Sequence, residues 1–207
     1  MYTPVFNQVA NRAALIEAMR AYSFAILFGP QSGPESAAPL TATHLPLVVK
    51  DEGPHGLLEG HFARANRHWQ ALAGRETLVV FSGPHSYVSP TLYVDPLSVP
   101  TWNYIAIHAY GTLELVEDEA GKDRLLADLI YVHEPAFAEK WRAMPDEFRR
   151  SMLAGIVGFR IPITRIEGKF KLSQNREPAE RSAVLVAHAA GTPDQQALAA
   201  WMKRMGG

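Results

Sequence analysis

The 207-residue chain contains no cysteine, so neither disulfides nor thiolate-bound metals can contribute to its architecture. It also lacks any excess of one charge. Its 20 Lys and Arg stand against 21 Asp and Glu, a formal net charge of −1, which removes a broad electrostatic pull toward nucleic acid or anionic membrane. No segment approaches the roughly 20 consecutive apolar residues of a membrane helix. Met1–Asn7 shows no basic stretch followed by an apolar one, so no export signal is expected, and the sequence reads as a soluble cytoplasmic protein. The eight histidines (His44, His55, His61, His68, His85, His108, His133, His188) never fall into H-E-x-x-H or a paired ligand spacing, so no metal site is expected. There is no G-x-G-x-x-G, no P-loop and no G-x-S-x-G elbow, which argues against a Rossmann sheet and a serine hydrolase.

What is present suits one globular domain. Hydrophobic residues make up 47% and charged residues 20%, and the length is sufficient to bury a substantial core. Asn11–Met19 has the spacing of a short amphipathic helix, and Tyr22–Phe28 reads as a buried strand ended by the turn-forming cluster Gly29–Pro34. Further strands are expected over Ala38–Val49 (with Pro46 at an edge or bulge), Gly56–Ala63, Arg75–Phe81, Asn103–Val116 and Gly158–Gly168. Asn66 is expected to cap a short helix carrying Trp69 and Leu72. The fourth strand is expected to stop at Ser82–Pro84, with an irregular, ordered loop from His85 to Pro100. Helices are expected over Asp118–Ala138 with a break at Pro135, from Pro145 onward, and in two segments of a tail divided by Gly191–Pro193. Six closely spaced strands with helices between the fifth and sixth predict a mainly β, α+β protein, an antiparallel barrel with helical attachments.

The segment His61–Asn66 holds an imidazole, a guanidinium and an amide at the end of a strand. Arg64 offers permanently charged planar donors, to which His61 and Asn66 add directional ones, a combination suited to phosphate. Strand alternation sends His61 and Arg64 to opposite sides, so a shared site requires a bend near Ala63–Ala65; a surface arginine beside a helix cap is the alternative. Trp102 and Tyr104 offer flat faces for a ring, although aromatics entering a long strand also serve cores and interfaces. Thr43–Pro46 puts His44 beside apolar neighbours, either as a backbone-bonded histidine or at a ligand edge. Lys171–Arg176 groups two cations with two amides, as a solvated strand exit or the wall of an anion site. An anion grip and an aromatic platform together suggest a phosphorylated aromatic ligand.

Met1–Pro4, Thr43–Pro46, Gly60–Asn66, Phe81–Pro90, Val99–Tyr104 and Lys171–Asn175 occur in the order and form of the PaiB family of FMN-binding negative transcriptional regulators, which the chain resembles over most of its length. The resemblance implies a split antiparallel β-barrel of the pyridoxamine-phosphate-oxidase-like type spanning 1–207, with a helical insertion at about 118–155 and a helical tail at about 178–205. It implies FMN as cofactor and a homodimer with flavin at the subunit interface. It further implies that His61, Arg64 and Asn66 contact the flavin phosphate, Arg64 as the main charge partner. Thr43, His44 and Leu45 would border the isoalloxazine or ribityl chain. Trp102, Asn103, Tyr104, Lys171, Gln174, Asn175 and Arg176 would close the site, from the second subunit if the interface is shared. Arg67 stands where the family pattern has proline, and Leu92 where it has an aromatic. A regulatory role and DNA as partner come from the resemblance alone, because no helix-turn-helix or basic recognition face is visible. A flavin-dependent oxidoreductase using NAD(P)H and a haem-binding protein are the alternatives. No catalytic residue is assigned; His44, His61 and His85 are the acid–base candidates.

Overall fold

The computed structural model describes residues 1–31 and 40–206, so the expectations falling on 32–39 lie outside the described residues. In chain order the elements are β1 (Gln8–Val9), α1 (Arg12–Ala21), β2 (Phe24–Pro30), β3 (Leu40–Pro46), β4 (Val48–Lys50), β5 (Leu57–Ala63), α2 (His68–Leu72), β6 (Glu76–Val88) and β7 (Thr101–Thr112). There follow β8 (Glu114–Val116), α3 (Glu119–His133), α4 (Phe137–Ala143), α5 (Asp146–Ala154), β9 (Ile156–Pro162), β10 (Arg165–Lys171), α6 (Pro178–Ala189) and α7 (Pro193–Arg204). The chain forms two compact units, one of residues 1–15, 82–107 and 167–207, the other of 16–81 and 108–166. No helix among the described residues is long and apolar enough to cross a membrane.

Among the described residues the six expected strands become nine, because three of them break where the backbone finds partners outside its ladder, and the short β1, which was not expected, makes ten. After Pro46, which has no N–H to give, the Leu47 amide donates to Ser23, separating β3 from β4. Leu113 exchanges bonds with Gly74 and Arg75, which divides β7 from β8. Beyond Pro162, Ile163 and Thr164 donate to Gly56 and Tyr110, so β9 and β10 are separate strands. In the opposite sense, β6 does not stop at Ser82–Pro84. Its buried positions change from Thr77, Val79 and Phe81 to Pro84, Ser86 and Val88. One extra residue is absorbed there, as in a β-bulge, and pairing continues.

In the unit of 16–81 and 108–166, a sheet ordered β4-β5-β9-β8 is antiparallel, with Gly60 opposite Phe159 and Phe62 opposite Val157. Phe62 and Phe159 pack with ring centroids 4.9 Å apart, and both are fully buried. A side chain at Gly60 would come within 2.8 Å of Leu47 and 3.0 Å of Phe159, so glycine lets this core close. The same unit carries the order β6-β2-β3 and the helices α2 to α5. The insertion is tied inward by Lys122, whose buried ammonium donates to the Leu153 carbonyl at 2.6 Å. In the other unit, β1-β10-β7-β6 is the strand order, and Phe170 meets Trp201 of α7 edge-on at 5.2 Å. The Thr192 capping box starts α7.

Candidate functional site

In the unit of 16–81 and 108–166, three polar side chains meet on the inner face of β3. Thr43 and Leu45 point inward with Ala25 and Leu27, whereas His44 points outward and stacks on Phe24 at 6.1 Å. The Asn66 amide nitrogen donates to the Thr43 hydroxyl at 3.3 Å, and that hydroxyl lies 2.9 Å from His68 Nδ1. Burial lowers the His68 pKa, so the ring is neutral at neutral pH. An Asn66-to-Thr43-to-His68 relay then makes Nδ1 the acceptor and leaves the hydrogen on Nε2, a buried nitrogen with no partner among the described residues. Asn66 also accepts from the His68 amide at 3.2 Å, although Arg67 and not Asn66 occupies the position before the helix. Gly29 makes the arrangement possible. A Cβ there would overlap the Leu72 side chain and lie 3.3 Å from His68 Nε2, so α2 can rest on β2 only over glycine.

Arg64 lies past the end of β5 and is exposed. Its Nε donates to the Ala154 carbonyl at 2.8 Å and its Nη2 to the Ile156 carbonyl at 3.1 Å. The guanidinium thus fixes the turn from α5 into β9, leaving its Nη1 group outside these two bonds. Trp69 Nε1 donates to the Arg64 carbonyl. His61 is half-buried on β5, opposite Gly158, and burial lowers its pKa. His61, Arg64 and Asn66 are therefore neighbours in sequence that do not converge, since Arg64 bonds backbone carbonyls and Asn66 bonds Thr43.

The other unit gathers Asn103, Lys171, Asn175 and Arg176 around a cavity of about 230 Å³, with Tyr93, Thr101 and Ser173. Asn103 and Ser173 are buried and bond each other, Asn103 Nδ2 donating to Ser173 Oγ at 3.0 Å. Ser173 holds a left-handed backbone, φ 62°, a conformation that costs a non-glycine residue on the order of 1–3 kcal/mol and persists only where surroundings enforce it. Lys171 donates to Thr101 Oγ1, and its pKa is lowered by burial and by the charges of Lys169 and Arg176. Arg176 lies 3.7 Å over the Tyr93 ring, donates to Ser98 Oγ at 3.2 Å and pairs with Glu180 at 3.6 Å. The buried Tyr93 hydroxyl has no partner among the described residues. Two cations, a free hydroxyl and amides without a lining carboxylate form a concavity suited to an oxyanion. Gln174 is committed elsewhere, donating to Phe170 and accepting from Leu172.

Trp102 and Tyr104 project from the opposite face of β7 to Asn103. Trp102 is 51% exposed and flanked by His85 at 6.1 Å and Tyr87 at 6.2 Å, while Lys169 sits 5.3 Å over Tyr104. His68, Tyr93 and Tyr87 are contributors that spacing alone did not single out. The signal for His68 was its place two residues after Asn66, at the first turn of a helix.

The family described as "Putative FMN-binding domain" matches residues 1–165. A Bacillus subtilis protein named protease synthase and sporulation protein PAI 2 is 34% identical over 191 residues, covering 89% of this chain and 87% of that one. Among solved structures, the flavocytochrome Anf3 from Azotobacter vinelandii aligns with TM-score 0.61 at 17% identity, over 86% of this chain and 75% of that one. The conserved hypothetical protein Rv2991 from Mycobacterium tuberculosis aligns with TM-score 0.55 at 14% identity, over 86% and 94%.

Proposed function

The chain belongs to the FMN-binding family that includes PaiB, has the split β-barrel fold and takes FMN as its cofactor, and from that premise we propose that 1–207 acts as one flavin-binding domain in a homodimer with each flavin held between two copies. Thr43, Leu45, His61, Arg64 and Asn66 of one copy form one wall, with His44 on the opposite face of β3. Asn103, Lys171, Asn175 and Arg176 of the other supply the phosphate cavity and Trp102 and Tyr104 a ring surface on the opposite face of β7, while Gln174 only braces the turn after β10. The observation carrying this reading is the pair of complementary features: a carboxylate-free cationic cavity at Lys171 and Arg176, and an exposed Trp102 face with no ring partner beyond His85 and Tyr87 among the described residues. A dianionic phosphate and a tricyclic ring require those two surfaces. Bound FMN supplies reversible electron transfer at its ring system; the chain supplies charge, orientation and a dry wall.

Arg64 is assigned to the phosphate through its Nη1 group. Arg64→Ala is expected to weaken FMN binding by about 2–3 kcal/mol, the scale of a charged hydrogen-bonding group lost, or roughly 30- to 150-fold in Kd. Fluorescence titration of FMN checks this, with circular dichroism to verify folding; an unaltered titration in a folded variant refutes the role. The name of the Bacillus relative joins protease synthase with sporulation, and with the resemblance to the PaiB regulators we carry over a regulatory role. Binding that discriminates one promoter sequence from another at physiological salt supports direct action on DNA, and equal binding to all sequences opposes it.

A further inference from the structure

The helical tail encloses a second cavity, of about 560 Å³, between the segment after β10 and helices α6 and α7. It lies in the unit of 1–15, 82–107 and 167–207, and its lining falls entirely beyond residue 165, where the family match ends. Its volume is within the roughly 300–1,000 Å³ of small-molecule sites. Arg176 and Arg181 line it together with the Ser182 hydroxyl, while Leu185 and Met202 give it an apolar side. No carboxylate is among the described lining residues. Two acids adjoin lining residues in sequence: Glu177 is exposed, and Glu180 is already engaged by the Val94 amide at 2.9 Å and by Arg176.

Arg181 carries the argument. Its Nε and Nη2 are shut off from solvent and have no hydrogen-bond partner among the described residues. These two nitrogens form the side-on fork of the guanidinium, the edge that matches both oxygens of a carboxylate. A buried charged donor without a partner is costly, and an arriving anion removes that cost. Seating a carboxylate on this fork requires the guanidinium to turn toward the cavity that Arg181 lines. We propose that this cavity binds an amphiphilic organic carboxylate, its head on Arg181 with Arg176 nearby and its apolar body against Leu185 and Met202.

This cavity shares Arg176 with the proposed flavin wall but rests on Arg181, which that wall does not use, and its test uses a probe other than FMN. Octanoate is titrated calorimetrically into the full-length protein, with and without saturating FMN, and 1-octanol serves as the uncharged control. Octanoate is expected to bind once per chain and octanol at least tenfold more weakly. Arg181→Gln should weaken octanoate at least tenfold while leaving FMN titration unchanged. Should that variant fail to fold, the exposed Ser182 offers a second route: Ser182→Glu places an internal carboxylate beside Arg181 and should abolish octanoate binding, whereas Ser182→Gln should retain it. Octanoate that fails to bind the wild type, or binds both charge variants as tightly as the wild type, overturns the proposal.

Discussion

Thr43 has one hydroxyl hydrogen and two lone pairs, and His68 and Asn66 engage both kinds of capacity. Thr43→Val keeps the shape but leaves His68 Nδ1 and the Asn66 amide without a mate in a largely buried position. It should cost about 1–3 kcal/mol of stability in urea unfolding, with Thr43→Ser recovering most of it. Lys171 makes a different kind of prediction. Burial, with Lys169 and Arg176 nearby, lowers its pKa from 10.5, so the empty site releases its proton earlier than a free lysine does. Phosphate binding favours the charged ammonium and raises that pKa again. FMN affinity should therefore fall as pH rises through the lowered Lys171 value, with proton uptake on binding in that range, and Lys171→Gln should flatten the slope. Parallel calorimetric titrations in buffers of different ionisation enthalpy measure the proton uptake.

At the scale of elements, α2 is held over β2 by a missing methyl group. Gly29→Ala drives a Cβ into Leu72 and toward His68, and it should cost about 1–3 kcal/mol as the helix is pushed off the strand. The same variant should bind FMN less tightly, because Asn66 and Thr43 lose their common anchor; denaturant unfolding and flavin titration separate the two effects. Elements were also where local sequence carried least. Gly56–Ala63 and the two tail helices were legible from periodicity and from Gly191–Pro193, whereas Tyr22–Phe28, expected as a buried strand, forms a strand with one open face, because β2 and β3 leave Phe24 and Phe28 uncovered there among the described residues. Ser82–Pro84 looked like a stop because glycine and proline usually end strands, but a long-range partner strand kept the pairing going across a phase change. That phase change is what turns His85 and Tyr87 outward beside Trp102. In the site, Arg64 was visible as a charge near a strand end. Its two backbone carbonyls lie some 90 residues farther along the chain, and no local pattern reports them. Ser173 was inconspicuous because its left-handed backbone is enforced by surroundings that include Asn103, 70 positions away.

For the whole molecule, the outward face of β2 and β3 is the place to look for a second copy. Phe24 is 64% exposed, Leu40 72% and Phe28 39%, and register pairs Phe24 with Pro46 and Phe28 with Ala42 on that one face. Adjacent apolar side chains left in water favour association. If the proposed homodimer forms through this face, Phe24→Asp combined with Leu40→Glu should shift sedimentation from twice the 22.8 kDa chain mass toward the single chain. If the flavin needs both copies, the same double variant should lose FMN binding together with the dimer. A dissociated variant that still binds FMN fully would place the flavin within one chain.

The interleaved make-up of the two units has a consequence for biosynthesis. Everything the unit of 16–81 and 108–166 needs has been translated once Ile166 is joined. The other unit must wait for the last helix, and β1 must wait for β10, since Gln8 pairs with Lys169. A nascent polypeptide leaving the ribosome can therefore consolidate one body early while β1 stays unzipped until β10 has emerged, the slow closure of a very long loop.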